Sequence, residues 1–247
     1  MVSIDRVYQK VLALANKEQR GYITPQEFNL FADHAQMEMF EQYFYDINQF
    51  RRVPGNNNEF SDPLKNLEEK ISLFEIYDVT VVPNSDFGDI VLPENVYRLG
   101  MVRVKYKNKT KFILAERIEI RQIMTYLQSP LTKPGNKDFL AYYTQYPVVG
   151  TNSNRIKIYP YPSQDDTVDI VKVSYIKRPT PPKWTYIILN DKPLFNATNA
   201  INFELHESEE TELVYRILAL AGVAIEKPQL TQTSTQLASA QIQQEKS

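Results

Sequence analysis

The chain has 247 residues, 43% hydrophobic and 23% charged, which is ordinary globular usage at the upper edge of one domain and excludes a disordered polymer. Its 28 Lys and Arg against 30 Asp and Glu leave a formal charge of −2, which argues against a dedicated DNA- or RNA-binding domain with a basic stripe. The absence of cysteine excludes disulfide frameworks, thiolate zinc sites and cysteine nucleophiles, and only seven glycines are available for phosphate cradles.

A first helix is expected after Ser3, because Ile4, Val7, Tyr8, Val11, Leu14 and Ala15 recur at helical spacing, with Gly21 past its end. The second helix has the clearest start in the chain. Thr24 can cap, Pro25 fits the first helical position, Glu27 completes a capping box, and Ile23 and Phe28 occupy the staple positions. Phe28, Phe31, Ala32, Ala35 and Met39 form its stripe, continued by Phe40, Tyr43, Phe44 and Phe50. The polar stretch Arg51 to Glu59 reads as a loop, and a third helix is expected from Asp62-Pro63 with Leu64, Leu67 and Ile71 inward.

From Leu73 the period becomes alternating, which predicts strands through Phe74 to Val82, Ile90 to Leu92 and Val96 to Tyr106. The polar turn Lys107 to Thr110 returns as a hairpin over Lys111 to Leu114. Glu116 to Gln128 reads as a short helix with Ile120, Ile123, Met124 and Leu127 on one side. Strands are expected again at Phe139 to Tyr146, Arg155 to Tyr161 and Val168 to Lys177. Pro179, Pro181 and Pro182 exclude helix or central strand, and a short hairpin follows from Tyr186 to Phe195 through Asn190-Asp191. The last strong helix begins near Ser208, with Leu213, Val214, Ile217, Leu218, Ala221 and Ala224 inward, and Pro228 ends it.

This order predicts an α+β fold without alternating βαβ units. It is a helical bundle of N-terminal helices (1–72) completed by a C-terminal helix (205–228), with a β-rich insertion (73–204) and an extended or helical tail (229–247). That tail has too few apolar residues to fold alone. Leu230, Leu237 and Ile242 are its candidate anchors on a partner.

No catalytic signature emerges, so the chain reads as not an enzyme, with no cofactor and no metal site. His34 and His206 are the only histidines. His34 reads as an ordinary helix residue and His206 as a local hydrogen-bonding group before the last helix. The neighbouring carboxylates Glu68/Glu69, Asp165/Asp166 and Glu209/Glu210 read as solvated charges, since adjacency alone does not make an acid–base pair. Arg103, Lys105, Lys107, Lys109 and Lys111 recur at a period of two, which on a hairpin puts several of them on one face and Val102, Val104 and Tyr106 on the other. They suit protection of an exposed hairpin edge, ahead of contact with nucleic acid or an acidic partner. No 18-residue apolar run is present and Met1 to Arg6 lacks a signal-like core, so no membrane contact and cytoplasmic synthesis are expected. Sixteen tyrosines and twelve phenylalanines suit a protein with several interfaces.

Three stretches carry a resemblance: Asn16 to Asn29, Leu92 to Gly100, and Phe203 to Val214. Together they resemble the head–tail connector (adaptor or ring) proteins of short-tailed, crAss-like phages. In the third stretch Glu207 stands where relatives carry proline. The resemblance implies a structural virion protein in the neck between capsid and tail. It would form a twelvefold ring of copies of itself beneath the portal protein, next to other ring or tail proteins, with DNA passing through the lumen without specific binding. Another phage virion component (a tail-tube or cargo protein) and a hydrolase using dispersed carboxylates are the alternatives. The tail from residue 229 is expected to dock on the portal.

Overall fold

The computed structural model describes residues 1–15, 23–50, 63–83, 89–107, 109–134, 139–145, 154–162, 169–190, 192–224, 234–237 and 239–240. In chain order the elements are α1 (Ile4–Ala15), α2 (Pro25–Phe50), α3 (Pro63–Ser72), β1 (Glu75–Val81), β2 (Asp89–Val91), β3 (Val96–Lys105), β4 (Ile113–Arg117), α4 (Ile120–Gln128), β5 (Leu140–Gln145), β6 (Arg155–Tyr159), β7 (Ile170–Lys177), β8 (Tyr186–Leu189), β9 (Lys192–Phe195) and α5 (Glu210–Ala224). Gly21, the loop 51–59, Pro228 and the Asp165/Asp166 pair lie outside the described residues. The chain divides into two compact units, one of residues 1–73 with 179–247 and one of residues 74–178.

The first unit starts from local signals. Ser3 accepts a hydrogen bond from the Arg6 amide at 3.5 Å as α1 begins. At α2 the Thr24 amide donates to Glu27 Oε2 at 2.9 Å while the Glu27 amide donates to Thr24 Oγ1 at 3.3 Å, which is a reciprocal capping box. The Thr24 bonds hold the Glu27 carboxyl below its ordinary range. Ile23 and Phe28 are both buried and close the staple. Along α2 the buried side is Phe28, Ala32, Ala35, Met39 and Phe40, whereas Phe31 is only half-buried. α2 packs against α3 and α5, and α1 packs against α5; Val7, Tyr8 and Val11 of α1 and Leu213, Val214 and Ile217 of α5 are all buried. Ahead of α5, His206 Nδ1 accepts from the Ser208 amide at 3.3 Å and caps a 3₁₀ turn, Glu207–Glu209, that runs into the helix.

Residues 179–204 belong with these helices rather than with the β-rich segment. The buried Gln36 amide explains why. Its Nε2 donates to the Thr180 carbonyl at 2.9 Å and its Oε1 accepts from the Glu204 amide at 3.0 Å, so one α2 side chain holds both ends of the excursion. A buried amide bonded on both sides avoids the penalty of an orphaned polar group.

The second unit is a seven-stranded sheet in the order β1-β7-β3-β4-β5-β6-β2. One continuous buried cluster takes side chains from all seven strands, among them Val81, Ile90, Val104, Ala115, Tyr142, Ile158 and Val173. Among the described residues of this unit no helix covers that face; the sheet curls and covers it with itself. An isolated bridge between Pro83 and Ile90 ties the two outer strands together at one point. Bulges between Ile76 and Val79 and between Leu99 and Val102 supply the bend. At the second bulge a Cβ on Gly100 would come within 2.9 Å of the Ser174 carbonyl oxygen, so a side chain there would push β3 and β7 apart. On the outer face α4 covers Ala141 and Tyr143 with Ile123, Tyr126 and Leu127.

Three expectations are corrected here. The fold is not a dominant helical bundle bearing a β-rich insertion. It is mixed α/β, and its largest single assembly is the curled sheet, which carries a core of its own. A βαβ unit is present after all: β4 and β5 pair in parallel, Ala115 opposite Leu140 and Arg117 opposite Tyr142, with α4 as the crossover. On α4 only Ile123 is fully buried, while Ile120 and Met124 face outward, because a nine-residue helix lying on one strand needs a narrow stripe.

Candidate interaction surface

The hairpin β8–β9 is the most unusual surface among the described residues. It is a separate two-stranded sheet, with Tyr186 opposite Phe195, Ile187 opposite Leu194, Ile188 opposite Pro193 and Leu189 opposite Lys192. Asn190 takes a positive φ of 50°, as the turn signal Asn190-Asp191 anticipates. Strand alternation puts Ile187, Leu189 and Leu194 on one face and Ile188 and Pro193 on the other. Ile187 is 54% exposed, Ile188 70%, Leu189 57% and Leu194 46%, so the tip is apolar and open on both faces.

The root of the hairpin is as fixed as its tip is bare. Trp184 is buried, with its ring 4.1 Å from Tyr8, 5.8 Å from Tyr186 and 5.9 Å from Phe195 between centroids. Its indole Nε1 donates to Asp5 at 3.0 Å. Its amide donates to Asn29 Oδ1 at 2.7 Å, and its carbonyl accepts from Asn29 Nδ2 at 3.1 Å. One asparagine therefore satisfies both backbone groups of the anchoring residue. The Asn196 amide closes the root on the Thr185 carbonyl at 2.8 Å. An isolated hairpin is marginal in water, and these contacts supply what the two strands lack.

The same unit carries a hollow. A groove of about 310 Å³ lies between α1 and α5, lined by Lys10, Ala13, Leu14, Thr211, Val214 and Tyr215. At its edge Glu210 accepts from Lys10 Nζ at 2.6 Å and from Arg6 at 3.2 Å. Partial burial works against the Glu210 charge, but the Lys10 hydrogen bond and the two cations outweigh it and lower its pKa.

The residues singled out in the sequence are scattered. Leu237 lies on a short helical stretch, 234–237, and is 44% exposed beside the buried Ser234. Leu230 and Ile242 lie outside the described residues. His34 is exposed on α2. His206 caps the 3₁₀ turn that runs into the last helix, a local role. Glu209 is not a solvated charge: it is 1% exposed and paired with Lys70. Buried Glu212 pairs with Arg216 at 2.5 Å, and Arg216 also reaches Glu38 at 2.9 Å.

The basic run also reads differently in three dimensions. β3 lies between β7 and β4, so Arg103 and Lys105 protect no edge. Arg103 instead pairs with Asp78, whose own φ of 59° places it in the β1 bulge. The Arg103 hydrogen bond holds the Asp78 carboxyl below its ordinary range.

A second cleft, of about 470 Å³, lies where β4 passes into α4 and is lined by Arg117, Glu119, Arg121, Tyr143 and Thr144 among others. It mixes charges of both signs, and no histidine lines it. No group of three or more His, Asp or Glu side chains among the described residues is placed to hold a metal ion. Among the described residues no helix is long and apolar enough to cross a membrane.

The hairpin tip was not singled out in the sequence, although a signal was there. Tyr186-Ile187-Ile188-Leu189 is apolar without alternation, and a two-stranded hairpin can bury only one face against its own domain. Comparison of the chain with protein-family models and with curated proteins finds no match to either.

Proposed function

We propose that this chain is a structural virion subunit that joins copies of itself into a connector ring beneath a phage portal and extends the DNA channel toward the tail. The observation that carries this reading is the rigidly anchored hairpin with an apolar tip open on both faces, a feature of a subunit whose partners are proteins. The resemblance supports it from the sequence side. Its stretches reach the capping box of α2, the approach to β3 and the His206 cap ahead of α5, so it concerns how elements begin rather than a chemical site. The near-neutral charge suits a lumen through which DNA passes without specific binding.

Buried Glu209 and Glu212, and Glu210 beside them, are engaged by Lys70, Arg216 and Lys10, which weighs against the hydrolase alternative. The tail is assigned to the portal, with the exposed Leu237 as one contact. Mass spectrometry of purified virions and an image of the neck test the reading. Stoichiometric presence of the chain as a ring under the portal is the expected result, and its absence from particles overturns it. Deleting residues 229–247 should leave the fold intact by circular dichroism and remove the chain from the neck.

A further inference from the structure

We infer that the β8–β9 tip of one copy seats in the α1–α5 groove of the next copy, and that this knob-in-groove contact is the repeating interface of the ring; the inference rests on the ring reading above. Three observations point to a second copy as the occupant. The first is that Ala13, Leu14 and Val214 line the groove, which therefore offers the apolar surroundings that Ile187, Ile188 and Leu189 lack. Knob and groove belong to the same compact unit, so every copy carries both halves.

The second observation is directional. Trp184, the hairpin's anchor, packs its ring at a tilt against Tyr8 of α1. The groove uses Lys10, Ala13 and Leu14 of the same helix. At about 100° per residue these three lie roughly 120–160° around α1 from Tyr8. Hairpin root and groove thus occupy opposing flanks of one helix. A contact whose two halves face different ways is heterologous and repeats from copy to copy, closing into a ring where the rotation allows. An isologous pair would instead need the same patch on both partners.

The third observation is area. The exposed tip consists of four large apolar side chains, Ile187, Ile188, Leu189 and Leu194, a patch on the order of a few hundred Å², the scale of functional patches on monomers. A stable two-body interface removes about 800 Å² from each partner. One seated hairpin falls short of that, so pairs in free solution are weak. In a closed ring every copy makes the contact twice, and a portal template adds to it. The purified chain is therefore expected to be largely monomeric at low concentration.

The absence of cysteine in the sequence makes the test clean. Ile188→Cys and Leu14→Cys are introduced separately and together, folding is checked by circular dichroism, and the concentrated proteins are oxidised with a copper catalyst. The doubly substituted chain should give a disulfide-linked ladder of dimers, trimers and higher species. A mixture of the two single variants should stop at dimers, and each single variant alone should stay more than about tenfold less crosslinked. Dimers from Ile188→Cys alone would mean that hairpins meet each other, and would overturn the proposal. So would a folded double variant with no ladder. If that variant is still found in the neck of particles, the seat is wrong and the ring stands; if the unaltered chain is missing from particles, the ring reading itself fails.

Discussion

β3 and β8 are both strands rich in apolar residues, yet Val102 and Val104 are sealed inside a sheet whereas Ile187 and Ile188 face outward. The difference is strand number. Seven strands can curl until one face covers itself, and the isolated Pro83–Ile90 bridge shows the outer strands meeting. Two strands cannot enclose anything. Apolar side chains beyond the root of a two-stranded hairpin therefore stay in water or are covered by another molecule. Composition alone does not separate a core strand from a docking strand.

The comparison breaks most sharply if a charge is placed on each side of it. Val173→Asp buries a carboxylate among Val81, Val104 and Val171, and should cost more than about 4 kcal/mol and unfold the sheet. Loss of its β signal in circular dichroism at ordinary temperature is the readout. Trp184→Ala removes the ring that joins the hairpin to α1, and should cost roughly 3–5 kcal/mol in urea unfolding. Thr24→Ala takes one oxygen from the capping box and should cost about 1 kcal/mol by thermal melting. Ile188→Asp, on the open tip, should change stability by no more than about 0.5 kcal/mol while abolishing assembly. A large loss of stability from Ile188→Asp would show that the tip is covered by its own chain.

Acid sharpens the groove half of the comparison. Glu210 is held below its ordinary value of 4.5 in the folded chain. Its contribution is therefore full above the unfolded value and is lost as pH falls through the lowered folded one. Glu210→Gln should flatten the acid limb of a stability–pH curve measured by urea unfolding, with little change in slope above pH 6. An unchanged acid limb would mean that Lys10 and Arg6 do not act on this carboxylate.

Features encoded by near neighbours were legible in the sequence. Thr24, Glu27, Ile23 and Phe28 lie within six residues and specify the start of α2 by themselves. The strand periods placed β1, β3 and β7, and the Asn190 turn placed β8 and β9. Pairing across long stretches of chain was not legible. Nothing in residues 113–145 announces that β4 and β5 run parallel. The period of Arg103 to Lys111 is the same whether β3 is an edge or an interior strand. That is why edge protection was a sound local reading with a wrong global outcome. Phe31 shows the limit on a helix: the spacing aims it inward, and it is only half-buried.

The two-ended grip of Gln36 has a consequence for local opening. With Thr180 and Glu204 held by one side chain and Trp184 by Asn29, the hairpin and its two arms cannot fray one residue at a time. They open together or not at all, as a single foldon. In native-state hydrogen exchange the amides of Trp184, Asn196 and Glu204 should therefore share one opening free energy. In Gln36→Leu that value should fall for all three at once, while the amides of β3 and β7 keep theirs. The knob would then present itself to a partner as one preset body, with little of its ordering entropy left to lose on docking.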